Sequence, residues 1–341
     1  MSTAAKEVRI AAVGCGRHAT SRVFPCFAKL PVRLVGVCDL DPALAAANAR
    51  RFAGESSFSD AATMLDQVRP DGLVVCAGPE AHVALALLAL QRGIAVYTEK
   101  PAAPSAADAW KVAQAARAAG KLVMTGFKYR YGRAMDKVKA IMATPAFGKV
   151  VAINVLRCSG WMDNLPGQSR SQFLLDFCCH PIDMVCYVGG EVDEVYAIAH
   201  GQDSYAITLR FASGAVGTMM FSSRASWARP VDRTEILGER GHVITIDDQI
   251  FMRYHVDGAQ KDGHDPKFCT AGSDSMEETG FIGEMRAFVE HLAGTRTIDS
   301  VPSRVDESVK SLALYEAILA SLASGKPERP ARFAASRSSG A

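Results

Sequence analysis

Long runs of any one character are what this sequence lacks. Its longest apolar run, VALALLAL at 83–90, is far short of the ~20 residues that cross a bilayer, so no membrane span is expected. No run of lysine or arginine occurs, and 38 basic against 36 acidic residues leave a formal net charge of +2. Without a basic patch there is no electrostatic reason to expect nucleic acid or an anionic membrane as a partner. The opening MSTAAKEVRI lacks the basic stretch and apolar core of a secretory signal. No C-x-x-C or other zinc spacing occurs among the nine cysteines, an odd number, and no metal site is expected. Several of these thiols lie inside apolar runs, where cysteine behaves as a small hydrophobe, which predicts a reduced, cytoplasmic protein.

What is present suits a two-domain globular enzyme. A chain of 341 residues exceeds one ordinary core, and 49 % hydrophobic with 22 % charged residues supplies enough apolar mass for two. Up to about residue 125, short apolar runs alternate with helical patterns: VRIAAVG, VRLVGVCD, DGLVVCA, AVYTEK and KLVMTGF as strands, with helices near 18–30, 41–52, 80–92 and 105–119. Asp41 is placed to cap the second helix, with Pro42 at its first position. This alternation predicts an α/β, Rossmann-type, doubly wound parallel sheet over 1–125. From about 150 the texture is β-rich, with turn signals GQD, SG and ERG between strands, so 126–325 is read as an α+β domain with an open, largely antiparallel sheet. Two helices, near 280–293 and 304–324, close the chain; they could pack back on the first domain. Residues 326–341 read as a loose tail, and the Gly-, Asp- and Ser-containing stretch 258–279 as a loop able to cover a cleft.

The first strand runs directly into GCGRHA at 14–19, the context a dinucleotide fingerprint requires. Gly14 permits the tight turn, Gly16 lets a pyrophosphate approach the backbone, and Ala19 is small enough for close helix–strand packing. Asp39 ends the second strand, where a carboxylate can accept the adenosine ribose hydroxyls and repel a 2′-phosphate. Leu40, Asp41 and Pro42 follow without a cation, which favours NAD over NADP. Cofactor contacts are therefore expected from Gly14, Cys15, Gly16, Arg17 and His18, and from Asp39 and Leu40. Further along they are expected from Ala77, Gly78 and His82, and from Glu99 and Lys100.

TEKPA at 98–102 leaves the carboxyl end of a parallel strand, the edge where open α/β sheets bind ligands. Together with GCGRHA, Asp39, GPEAH (78–82), GFKYRY (126–131) and the D-x-x-x-H of LLDFCCH, it resembles the Gfo/Idh/MocA oxidoreductases, which include glucose-fructose oxidoreductase and inositol dehydrogenases. The resemblance implies an NAD(P)-dependent dehydrogenase of a sugar, inositol or related polyol. Lys100 matches the active-site lysine of EKP, and Asp176 and His180 match the family's aspartate–histidine pair. Cys178 stands where many members have glycine.

The residues suit those roles. If 174–187 is one helix, Asp176, His180 and Asp183 share a face; alternatively Pro181 marks a helix beginning near 180, with Asp176 on the preceding loop. Hydride transfer from a secondary alcohol requires a base, and an ordinary imidazole, with a pKa near ~6.5, serves near neutral pH. His180 is read as that base, with Lys100 stabilising alkoxide character and Asp176 holding a neighbouring hydroxyl; the exchange of roles between Lys100 and His180 stays open. Asp183 is read as a local capping or pairing carboxylate. Lys128, Arg130, Trp161 and Asp163 are candidates for the substrate wall. Two rivals remain: an NAD- and sugar-binding sensor or repressor, and a glycosidase that retains and recycles NAD. The open sheet face predicts a homodimer or homotetramer.

Overall fold

The computed structural model describes residues 7–160, 169–226, 228–266 and 275–333. The chain divides into two compact units, 1–127 with 281–309 and 333–341, and 128–280 with 310–332.

In the first unit, strands β1 (Val8–Val13), β2 (Val32–Cys38), β3 (Ser57–Phe58), β4 (Gly72–Val75), β5 (Ala95–Thr98) and β6 (Val123–Thr125) form a parallel sheet in the order β3-β2-β1-β4-β5-β6. Every residue of β4 and β5 is buried, as expected of central strands covered on both faces, whose sequences are continuous apolar runs rather than alternations. The helix Pro42–Arg51 starts as its sequence requires: Asp41 accepts from Ala43 N at 2.8 Å and Pro42 occupies the first turn. Ser105 caps the helix Ala106–Ala119 by accepting from Asp108 N at 3.1 Å, and Gly120, at φ 60°, ends it.

The helix Phe281–Leu292 belongs to this unit, not to the continuous domain 126–325 of the sequence reading. Its Phe288 and Leu292 fill the space a side chain at position 72 would need: a Cβ on Gly72 would lie 2.6 Å from Leu292 Cδ1 and 2.9 Å from Phe288 Cζ. A side chain at residue 72 would force Leu292 and Phe288 to shift, so glycine suits the seat of this helix.

The second unit is built on eight strands: β7 (Val150–Cys158), β8 (Val192–His200), β9 (Ser204–Phe211), β10 (Val216–Ser222), β11 (Val231–Gly238), β12 (His242–Asp247), β13 (Phe251–Val256) and β14 (Ala259–His264). Their order is β14-β13-β12-β11-β7-β10-β9-β8, antiparallel except where β10 runs parallel to β7. The three turns read from GQD, SG and ERG all join neighbouring antiparallel strands. Period-two alternation sets the core: in β9, Tyr205, Ile207, Leu209 and Phe211 point inward and are buried, and the residues between them face out. The buried face packs with the helix Cys179–Gly189 and with Leu314, Tyr315 and Ile318 of the helix Val305–Ser324.

Two loop readings are corrected. The stretch expected to be a covering loop contains β14, paired with β13, and a helical turn at Ser275–Glu278; 267–274 lie outside the described residues. The tail is anchored through residue 333: Glu328 pairs with Val195, and Phe333 lies 6.0 Å from the Trp110 ring.

Within the second unit, Arg130 and Asp183, each 1 % exposed, form a two-pronged ion pair, Nη2–Oδ1 at 2.6 Å and Nε–Oδ2 at 2.8 Å. Ser311 Oγ donates a third bond to Asp183 Oδ1 at 2.8 Å, and the guanidinium stacks over Tyr187 at 4.4 Å. Arg130 was expected at the substrate wall; its fork is instead committed to Asp183, whose own pairing is long-range rather than local. Asp183→Ala leaves a buried cation uncompensated and is expected to cost about 3–5 kcal/mol in urea unfolding; a loss under about 1 kcal/mol would contradict the pair's structural role.

Candidate functional site

In the first unit, the turn after β1 is shaped for close backbone approach. Gly14 has φ 93°, and a Cβ there would collide with Cys76 O, so only glycine fits. Gly16 has nothing within 4 Å of its Cβ position, leaving its backbone open. Asp39, at the end of β2, accepts from Cys15 N at 2.7 Å and from Asp41 N at 3.0 Å, one bond to each oxygen. These bonds fix the carboxylate while leaving lone pairs on both oxygens for further donors. Leu40, next to it, stands 94 % exposed. Gly14, Gly16 and Asp39 thus offer a tight turn, bare backbone and a fixed carboxylate with lone pairs to spare, features that suit a dinucleotide. Cys15 and Cys38 sit behind this turn; burial first, and the nearby aspartates after it, push their thiols up to about 12 and about 11.

His82 and Glu99 are tied into the unit's own hydrogen-bond network, and His82 lies in the first turn of the helix Pro79–Leu90. The His82 ring is fully buried; Ala77 N donates to its Nε2 at 3.3 Å, and its Nδ1 donates to Pro101 O at 2.8 Å. Burial holds its pKa down, so it is a neutral imidazole with the Nδ1 proton, a strut tying the turn before the helix Pro79–Leu90 to EKP. Both ring nitrogens are thereby used inside the fold. Glu99 is 5 % exposed, with His18 Nε2 at 3.2 Å, Tyr97 Oη at 3.3 Å and the Lys100 backbone N–H at 3.1 Å. Burial raises the Glu99 pKa, but the His18 bond and the charges of His18 and Lys100 together bring it below the ordinary value. Tyr97 Oη also reaches Glu284 Oε1 at 2.9 Å. Lys100 is half-buried at the end of this cluster, and its bond to Pro101 is cis.

In the second unit, Asp176 lies in a π-turn, Phe173–Phe177, and Cys178 joins it to the helix Cys179–Gly189. Of the two sequence alternatives, the interrupted one is observed. Pro181 falls in the first helical turn, where its missing N–H removes no intrahelical bond. Cys178 is fully buried in the core beside Phe173 and Leu174, and burial raises its pKa well above the usual thiol value. It is a packing residue of the turn.

His180, 8 % exposed, lies flat against Tyr129, with ring centroids 4.6 Å apart and planes 26° from parallel. Tyr129 in turn accepts from Arg157 Nη1 at 2.9 Å and donates to Asp232 Oδ2 at 3.3 Å. Arg157 also pairs directly with Asp232, whose other oxygen accepts from Gln249 Nε2 at 2.6 Å. This network borders a cavity of about 500 Å³, with Lys128, Tyr129, Arg157, Ser159 and Phe177 in its wall. The sequence reading found Lys128 here but missed Arg157, Asp232 and Gln249. They come from three separated segments, and nothing in their local sequence marks them. Trp161 and Asp163 lie outside the described residues. Among the described residues no group of His, Cys, Asp and Glu could hold a metal ion, and no helix is long and apolar enough to cross a membrane.

Comparison with known proteins agrees with this geometry. Residues 8–127 match a family described as "Oxidoreductase family, NAD-binding Rossmann fold", and residues 135–244 match the "GFO/IDH/MocA C-terminal domain". The inositol 2-dehydrogenase of Rubrobacter xylanophilus is 29 % identical over 334 residues, 92 % of this chain and 89 % of that enzyme. The myo-inositol 2-dehydrogenase of Thermotoga maritima is 27 % identical over 206 residues, 55 % of this chain but only 60 % of the relative's length. A solved levoglucosan dehydrogenase, in complex with NADH and levoglucosan, has the same fold at 19 % identity, with a TM-score of 0.83 and coverage of 95 % of this chain and 100 % of that one.

The first unit is thus an NAD-binding Rossmann fold. Asp39→Ala is expected to weaken NAD binding about tenfold while weakening NADP binding less, since a charge-assisted acceptor is lost and a repulsion removed. Dissociation constants for both cofactors measure this; an unchanged ratio would contradict the ribose contact.

Proposed function

Because the chain belongs to the Gfo/Idh/MocA oxidoreductase family, we propose that it oxidises a secondary hydroxyl of a sugar, inositol or related polyol with NAD. NAD, when bound, supplies the hydride acceptor. The observation that carries the reading is His180, seated in the first turn of its helix and held flat by Tyr129 beside a polar cavity. In the proposed mechanism His180 takes the hydroxyl proton as the C–H bond is broken and returns it in the reverse direction. Lys100 donates to the same oxygen and stabilises its alkoxide character, while Asp176 accepts from a neighbouring hydroxyl. Lys128 stands at the cavity wall as a donor to substrate oxygens. The family kinship to inositol and levoglucosan dehydrogenases supports the substrate class, and Asp39 supports NAD over NADP.

Lys100→Ala and His180→Ala are each expected to lower kcat by about 100-fold or more, as for loss of a general base or an electrostatic donor, while NAD binding is kept. Near-normal turnover in both would refute these roles.

We propose further that the protein works as a homodimer or homotetramer in a reducing cytoplasm. The eight described cysteines are free thiols, which suits that compartment. The outer sheet face exposes Tyr196 and Ile198 on β8 with Val216 and Met220 on β10. Ile198 and Met220 fall in one row, separated by Ala206 of β9, which makes an apolar stripe suited to a second copy. Sedimentation should show an oligomer that Ile198→Glu with Met220→Glu converts to monomers; a monomeric native protein at micromolar concentration would contradict it.

A further inference from the structure

The helix Phe281–Leu292 follows the whole sheet of the second unit in sequence, yet it is part of the first unit. Residues 281, 284 and 288 are spaced by three and four, so they share one face of that helix. The face they form meets the strand that leads into EKP. Phe288 lies 6.1 Å from the Tyr97 ring, Glu284 Oε1 accepts from Tyr97 Oη at 2.9 Å, and Phe281 lies 6.0 Å from the His18 ring.

Tyr97, in β5, and Glu99, just past its end, are two residues apart, the spacing that puts side chains on one face of a strand. Room for the Tyr97 hydroxyl comes from Gly126, where a Cβ would lie 2.5 Å from Tyr97 Oη and 3.4 Å from Glu99 Cδ. Glu99 divides its oxygens: Oε1 meets Tyr97 Oη and His18 Nε2, and Oε2 accepts from the Lys100 backbone N–H. One carboxylate thus joins the dinucleotide turn to the backbone of the EKP lysine. Burying Glu284, 1 % exposed, and Glu99 around one tyrosine hydroxyl costs desolvation that an apolar contact would avoid, so the arrangement calls for a role besides stability.

We propose that Tyr97 and Glu284 are positioning residues for the reaction: acting through Glu99, they fix the backbone of Lys100 and so the place from which its ammonium reaches the substrate oxygen. The inference rests on the dehydrogenase reading above and adds two residues to it. Glu284 holds the Tyr97 hydroxyl, the hydroxyl keeps Glu99 from turning away, and Oε2 of Glu99 then stays on the Lys100 N–H. A lysine head rides on a flexible four-carbon stem, so fixing the backbone it hangs from narrows where it can reach. Misplacing a reacting group by about 1 Å can cost about 100-fold in rate. The return of the chain to the first unit has the same explanation: the late helix supplies the carboxylate that steadies EKP.

The test uses the full-length protein with Tyr97→Phe, Glu284→Leu and Glu284→Gln, the last of which keeps an oxygen able to accept from Tyr97 Oη. Exchange of the Lys100 amide hydrogen, read by mass spectrometry on short peptides, reports the Glu99 bond without any turnover. It should quicken about tenfold in Tyr97→Phe and Glu284→Leu, and stay within about threefold of native in Glu284→Gln. In assays with NAD and a polyol, kcat should fall about tenfold in the first two while the NAD dissociation constant stays within about threefold, and Glu284→Gln should restore most of the loss. Both substitutions break one chain of contacts, so the double variant Tyr97→Phe with Glu284→Leu should lose no more than the worse single one. Native kcat in Tyr97→Phe, a Glu284→Gln as impaired as Glu284→Leu, additive losses in the double variant, or a kcat that falls only in proportion to folded protein would overturn the proposal. The exchange measurement separates this inference from its premise. Exchange that changes as stated in a protein without turnover supports the fixing of Lys100 and refutes the dehydrogenase; turnover with Lys100 exchange unchanged in every variant does the reverse.

Discussion

The second unit depends on the Arg130–Asp183 ion pair. Two charges 1 % exposed would each cost several kcal/mol to desolvate, and only a geometry that satisfies both makes the arrangement stable. Here the fork, the Ser311 hydroxyl and the Tyr187 ring together do so. Asp183 is one turn beyond His180 on the same helix, and Arg130 directly follows Tyr129. Locking the outer pair therefore sets the register of the inner one, the stack of Tyr129 on His180. The proposed proton acceptor is held by the packing of the domain rather than by a loop. That is the preorganisation a base needs when its orientation must be fixed before the substrate arrives.

Much of the fold was legible in the sequence because periodicity and local chemistry agree. Buried parallel strands write themselves as unbroken apolar runs, and β4 and β5 are buried throughout. Asp41 and Pro42 start a helix wherever they stand, and the three hairpin turns carry their own glycines. What escaped depends on partners distant in sequence. Phe288 and Leu292 carry a helical apolar face that any domain could bury; the bare backbone of Gly72 that leaves room for them lies more than two hundred residues earlier. AQKDGH forms β14 at a sheet edge, where four of its six residues are exposed and no apolar alternation marks it.

The candidate site divides the same way. Gly14, Gly16 and Asp39 announce themselves because what they offer is backbone shape and one carboxylate at a strand end. His82, Glu99 and Arg130 are polar residues close to informative motifs, and their partners inside the protein could not be read from those motifs. Their partners proved to be Pro101, Tyr97 with His18, and Asp183. Residue type cannot distinguish a side chain that holds the site together from one that touches a ligand. Cys178 shows the opposite case, since an unusual residue inside the D-x-x-x-H motif is absorbed entirely by the core.

The account's central claim is net oxidation of a hydroxyl compound at the expense of NAD, as distinct from sensing without turnover or a cycle that returns every hydride. The most direct measurement is absorbance in the reduced-nicotinamide band as the protein is incubated with excess NAD and a panel of inositols, neutral sugars and sugar acids. The account predicts stoichiometric accumulation of NADH with at least one of them. Saturable ligand binding with no NADH across the panel, or product formation with NADH never rising above the enzyme concentration, would contradict it.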